Sequence, residues 1–135
     1  MFRILLAEDN PGDVLLFREA LKTCSAPCEL VVADDGHKAL TMLKDIGNGA
    51  IADLIILDVN LPKHGGDEVL QRIRSEPSLA GVPVIMLTSS ASPLDKATAR
   101  RLGASLYVEK SSDLDQLFEI GRIVDAFIKR KAELH

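Results

Sequence analysis

The chain has 135 residues, of which 47% are hydrophobic; that suits one domain with a real core, so a single domain over 1–135 with no output domain is expected. Its 16 basic and 20 acidic residues leave a net charge of −4, and no basic run is dense enough for a nucleic-acid footprint, so direct nucleic-acid binding is excluded as an expectation. Neither a signal-peptide pattern nor a bilayer-length apolar stretch occurs, which points to the cytoplasm and away from the membrane.

Short apolar runs alternate with amphipathic stretches five times, the pattern of repeated βα units building a parallel sheet. The first strand is expected over 3–7 and ends in Glu8-Asp9. Asn10 caps a helix that takes Pro11 in its first turn, places Asp13 at its positive end and runs to about Thr23. Cys24 and Cys28 follow; with no other Cys and no neighbouring His they lack the ligands for a zinc site and read as reduced packing residues. After a strand over 29–33, Asp34-Asp35-Gly36 end the strand and cap a second helix, whose Ala39, Leu40, Leu43 and Ile46 recur at helical spacing until Gly47-Asn48-Gly49.

The third strand, 53–58, is apolar nearly throughout, as a strand covered on both faces should be, and ends in Asp58. A short helix from Gly66 to Arg74 turns Val69, Leu70 and Ile73 inward. The fourth strand, 82–87, leads to Thr88, and Ser92-Pro93 opens a helix that runs to Leu102 and stops at Gly103. The fifth strand, 105–108, leads to Lys110. The last helix, 113–131, carries Leu114, Leu117, Gly121, Val124 and Ile128 along one stripe facing the sheet. Ile120, Ile123 and Phe127 form a second apolar face on it. Two readings stay open there, the edge of a wide core or a self-association and docking surface.

In open parallel sheets, ligands bind beyond the carboxyl ends of the strands. Glu8, Asp9, Asp58, Thr88 and Lys110 all stand at such ends. Three gathered carboxylates repel, so at least one pKa should rise unless a cation joins them. A hard divalent ion with oxygen ligands, Mg2+, suits a small open acidic site, and a backbone carbonyl near Asn60 can complete its shell. The Lys110 ammonium and the Thr88 hydroxyl add an anion cradle. Asp58, the most central of the acids, is then the best nucleophile for an aspartyl-phosphate.

Glu8-Asp9-Asn10-Pro11, Asp58-Val59-Asn60-Leu61-Pro62 with Gly66, Leu87-Thr88-Ser89, Tyr107 and Lys110 together resemble the response-regulator receiver domain of two-component signalling, over essentially the whole chain. The resemblance implies an α/β fold, a doubly wound five-stranded parallel sheet in the flavodoxin-like order 2-1-3-4-5 with helices on both faces. It implies that Asp58 accepts a phosphoryl group from a sensor histidine kinase, that Glu8 and Asp9 hold Mg2+, and that Thr88 and Lys110 contact the phosphoryl group. Thr88 and Tyr107 would form the switch, and the signal would pass to a downstream protein or into a homodimer. Lys110-Ser111, the Asn60-Leu61-Pro62 turn and Ser112-Asp113-Leu114 resemble the single-domain regulators serving phytochromes, although receivers usually carry Pro where Ser111 stands.

Other classes compete with this reading. A haloacid-dehalogenase-type phosphatase needs a second Asp where Asn60 stands, and a P-loop NTPase needs a G-x-x-x-x-G-K-[ST] run that does not occur. A receiver-like interaction module that works without phosphorylation remains the alternative. His64, after Asp58, reads as a solvated loop residue.

Overall fold

The computed structural model of the chain describes residues 2–47, 52–63, 65–88, 92–110 and 114–133, with side chains for all of these except 45–47 and 114–117. Ile46, Asn48, Gly49, His64, Ser89, the Ser111 to Asp113 segment, Leu114 and Leu117, named above, therefore lie outside the described residues or side chains. The elements follow in strict alternation: β1 (Phe2–Ala7), α1 (Pro11–Leu21), β2 (Cys28–Ala33), α2 (Gly36–Gly47), β3 (Leu54–Asp58), α3 (Gly66–Ser75), β4 (Val84–Thr88), α4 (Pro93–Arg101), β5 (Leu106–Glu109) and α5 (Leu114–Glu133). All strand pairs are parallel, in the order β2-β1-β3-β4-β5. This is the expected doubly wound sheet.

Period-two alternation divides the core. Ile4, Leu6, Leu54 and Ile56 point to one face, where Phe17 of α1 and Val124 and Ile128 of α5 cover them. Leu5, Ala7, Ile55 and Leu57 point to the other, under Leu43 of α2, Val69 and Ile73 of α3 and Ala99 of α4. Every residue of β3 and β4 is buried. The edge strands are not, and Arg3 reaches across the open side of β2 to Glu29 at 3.1 Å.

The starts of α1 and α2 behave as capping predicts, whereas Ser92, expected to cap α4, makes no side-chain cap hydrogen bond and leaves Pro93 in the first turn to set that start. Asn10 Oδ1 accepts from the amides of Gly12 (2.8 Å) and Asp13 (3.2 Å), and Asp35 Oδ1 accepts from Lys38 at 2.7 Å. That amide bond, helped by Lys63, holds the Asp35 carboxyl below its usual range. Two differences from the expected elements have local causes. β4 begins at Val84 and not at 82, because Pro83 brings no N–H to the ladder. A 3-10 turn over Pro77–Leu79, which no periodicity announced, is capped by the Glu76 side chain on Ser78.

At the pole where the strands begin, Arg74 fastens α3 to the loops entering β4 and β5. Its Nε donates to Gly103 O at 2.9 Å, and Nη1 to Ala80 O (3.1 Å) and Val82 O (3.0 Å). Burial lowers the pKa of this guanidinium. At the same pole Asp53 accepts from the Arg3 amide at 2.8 Å and pairs with Lys131.

α1 and α5 pack closely at Gly121, where an added Cβ would stand 2.6 Å from Thr23 Oγ1 and 3.1 Å from Ala20 O. The following loop is tied to α5 by Ser25, whose N and Oγ both donate to Asp125 Oδ1 at 2.9 and 2.7 Å. Cys24 and Cys28 are free thiols, half-buried against the α1/α5 side of the core. Burial, with Cys28 and Asp125 adding to it, pushes the Cys24 thiol up to about 11. The folded value lies above the unfolded one, so this thiol's contribution to stability is complete below pH 9 and is lost as pH rises through 11. Alkylation of Cys24 by iodoacetamide at pH 8, followed by mass spectrometry, should run roughly a hundredfold slower than for an unperturbed thiol and speed up about tenfold per pH unit. A rate matching that of free cysteine would contradict the burial argument.

Ile120, Ile123 and Phe127 are half-buried and pack against the α1/α5 side of the core. Half-burial in a single chain fits both readings of that second face, the edge of a wide core and a self-association or docking surface. Leu106 on β5 and Phe118 on α5 are the large apolar side chains of this region that stand exposed, at 41% and 56%. No described helix is long and apolar enough to cross a membrane.

Candidate phosphoryl-acceptor site

The parallel order brings the ends of β1, β3, β4 and β5 to one edge. Glu8 directly follows β1, and its amide donates to Ala33 O at 2.9 Å, extending the ladder by one residue and setting the side chain over the sheet's end. Asp58 closes β3, Thr88 closes β4, and Lys110 follows β5 with its amide donating to Thr88 O. Every member is placed by a strand terminus, so strand register fixes the site.

The expected convergence is present. One carboxylate oxygen from each of Glu8, Asp9 and Asp58 can be chosen so that all three lie within 4.8 Å of one another. Lys110 Nζ donates to Glu8 Oε1 (2.8 Å) and Oε2 (3.0 Å) and to Asp58 Oδ2 (3.1 Å). The other Asp58 oxygen, Oδ1, accepts from the Asn60 amide at 3.0 Å. Glu8, Asp58 and Thr88 are buried, whereas Asp9 and Asn60 are exposed, so the cluster opens to solvent on one side.

Crowding has the electrostatic outcome expected of it. Burial pushes the Glu8 carboxyl up to about 8, against the pull of its Lys110 hydrogen bond and with Asp58 raising it further. Burial works against the Lys110 ammonium too, yet its bonds to Asp13, Glu8 and Asp58 outweigh that and hold its pKa above the ordinary value. A carboxyl whose charge is costly to bury fits a site that a hard cation would complete. Glu8, Asp9 and Asp58 are oxygen donors of the kind Mg2+ takes, and the open side leaves room for the waters it keeps.

Tyr107 is half-buried, opposite Met86 in the ladder, and packs against the α2–α4 side of the core. One functional neighbour escaped the sequence reading. Asp13 Oδ2 lies 2.8 Å from Lys110 Nζ, making a third carboxylate on that ammonium. As the third residue of α1 it reads, from sequence alone, only as favouring the helix's positive end. The usable signal was the Asn10 cap, which fixes where α1 starts and therefore which way its third side chain points.

Comparison with known proteins agrees with this geometry. The response regulator receiver domain profile matches residues 4–122. Response regulator Rcp1 of Synechocystis sp. (strain ATCC 27184 / PCC 6803 / Kazusa) is 38% identical over 127 residues, covering 92% of this chain and 86% of that protein. The crystal structure of the Mn(2+)-bound form of Rcp1 superposes with a TM-score of 0.83 at 36% identity, covering 94% of each chain. That of the phosphorylated cyanobacterial phytochrome response regulator RcpA does so with a TM-score of 0.83 at 39% identity, covering 93% of this chain and 92% of that one. With acids, threonine and lysine all at the strand ends, and with relatives matched over nearly their whole length, the chain belongs to the response regulator receiver domain family.

Proposed function

We propose that the chain is a phosphoacceptor signalling protein that takes a phosphoryl group from a sensor histidine kinase, of phytochrome type, onto Asp58. The observation that carries the reading is the contact of one Asp58 oxygen with Lys110 at 3.1 Å beside the Glu8, Asp9 and Asp58 trio. The related structures, a Mn(2+)-bound regulator and a phosphorylated phytochrome response regulator, support it.

In this reading an Asp58 carboxylate oxygen attacks phosphorus, the bond from phosphorus to the donor's imidazole nitrogen breaks, and the imidazole leaves with that electron pair. Glu8, Asp9 and Asp58, with the Asn60 carbonyl, would hold Mg2+, whose charge offsets that of the phosphoryl oxygens. Lys110 neutralises a further oxygen, and the Thr88 hydroxyl donates to another. The phosphoryl group adds roughly two negative charges, drawing Thr88 inward, and Tyr107 follows as the second part of the switch. Because Tyr107 stands on β5 against the α2–α4 side of the core, the changed surface around α4 and β5 passes the signal to a partner protein or a second copy, in the cytoplasm.

The test is incubation with labelled acetyl phosphate and Mg2+. Label should appear on Asp58, depend on the metal, and be released by hydroxylamine, as an acyl phosphate is. Transfer from a phosphorylated histidine kinase should be faster. Absence of label from either donor would leave a receiver-like interaction module that works without phosphorylation.

A further inference from the structure

Among the described residues, Lys110 is the cation in contact with the acidic trio, and its ammonium engages three carboxylates: Glu8 at 2.8 Å, Asp13 at 2.8 Å and Asp58 at 3.1 Å. An ammonium has three N–H donors, so three carboxylates saturate it. Two of these acids, Glu8 and Asp58, also belong to the trio suited to a dication, and Asp13 does not. A dication and Lys110 therefore compete for oxygens of Glu8 and Asp58, and repel each other if both remain there.

We propose that Asp13 is a positioning residue that holds Lys110 beside Asp58 when a divalent cation takes Glu8 and Asp58, keeping the ammonium in reach of the phosphoryl oxygens without blocking the metal. This rests on the phosphoacceptor reading above. The anchor is built to be stiff. The Asp13 amide is pinned by Asn10 Oδ1 at 3.2 Å in the first turn of α1. The Asp13 and Lys110 side chains are 28% and 22% exposed, so water only partly screens the pair. Removing Asp13 frees one ammonium donor, which turns to the remaining carboxylates and tightens the pairing a metal must break.

The test is a double-mutant cycle read as Mg2+ affinity by isothermal titration calorimetry, on the wild type, Asp13→Asn, Lys110→Met and the double variant. Asp13→Asn should weaken Mg2+ binding about fivefold or more with Lys110 present and less than about twofold with Met in its place. Equal factors in both backgrounds would mean that Asp13 acts through its charge alone and would overturn the proposal. So would an unchanged affinity in the single Asp13 variant. A wild type that binds no Mg2+ removes the phosphoacceptor reading as well, so the two failures are distinguishable. If Lys110→Met does not fold, ammonium hydrogen exchange by NMR in Mg2+ replaces it. Slow exchange at Lys110 in the wild type and fast exchange in Asp13→Asn are expected, and slow exchange in both would refute the anchor.

Discussion

Asp58→Asn is expected to abolish phosphoryl uptake, from kinase and acyl phosphate alike, while the domain stays folded. The amide of Asn is a poor nucleophile, and no other described carboxylate shares the position of Asp58, buried at 4% exposure between the Lys110 ammonium and the Asn60 amide. Stability should barely change, because two effects oppose. Lys110 loses one charged partner but keeps Glu8 and Asp13. Glu8 loses the acidic neighbour that raises its pKa, so it ionises more readily and pairs better with Lys110. Asn also retains an acceptor for the Asn60 N–H. Label incorporation should fall to background, and the melting temperature should stay within about 4 °C of wild type, equivalent to roughly 1 kcal/mol at this size. Label persisting at full stoichiometry would assign the phosphoacceptor elsewhere.

Gly66→Ala should be far more damaging to the fold. The first residue of α3 lies so close to the end of β3 that an added Cβ would stand 2.5 Å from Asp58 O, 2.9 Å from Val59 Cα and 3.1 Å from Asp58 C. All three are backbone atoms, so no side chain can rotate away. The Gly66 amide also donates to Val59 O at 3.1 Å, which binds α3 to the loop that aims Asp58. A methyl group there must push the helix and the loop apart, at a cost of about 1–3 kcal/mol in overpacking strain. Urea denaturation should show that loss, and the rate of labelling at Asp58 should fall with it. Gly121→Ala serves as the contrast. Its closest contact is the Thr23 hydroxyl, which can turn, so a smaller loss of stability and unaltered labelling are expected.

The elements that position the site could be read from residues alone because their signals are local and strong. Leu54 to Leu57 form an unbroken apolar run before an acid, and Asn10-Pro11 is a helix start with a physical cause. The site followed, since a parallel sheet gathers strand ends whatever their distance in sequence. Other features depend on facts no local pattern holds. The one-turn helix at Pro77–Leu79 is too short to show a period. The contact of Asp13 with Lys110 joins residues 97 positions apart whose meeting depends on the packing of α1 against the edge. How far Ile120, Ile123 and Phe127 are covered, half-buried as they are, depends on how far α1 and the strands beneath extend sideways.

The Arg74 clamp gives the sheet a mechanical asymmetry. Carbonyls ahead of β4 and β5 are riveted to one guanidinium, whereas the opposite tips of these strands, at Thr88 and Lys110, are linked by a backbone bond and steered by a single ammonium. The two strands thus resemble a paired cantilever, built in at the root and loaded at the tip. A pull on Thr88 drags the lysine's main chain with it, and deflection grows away from the clamp.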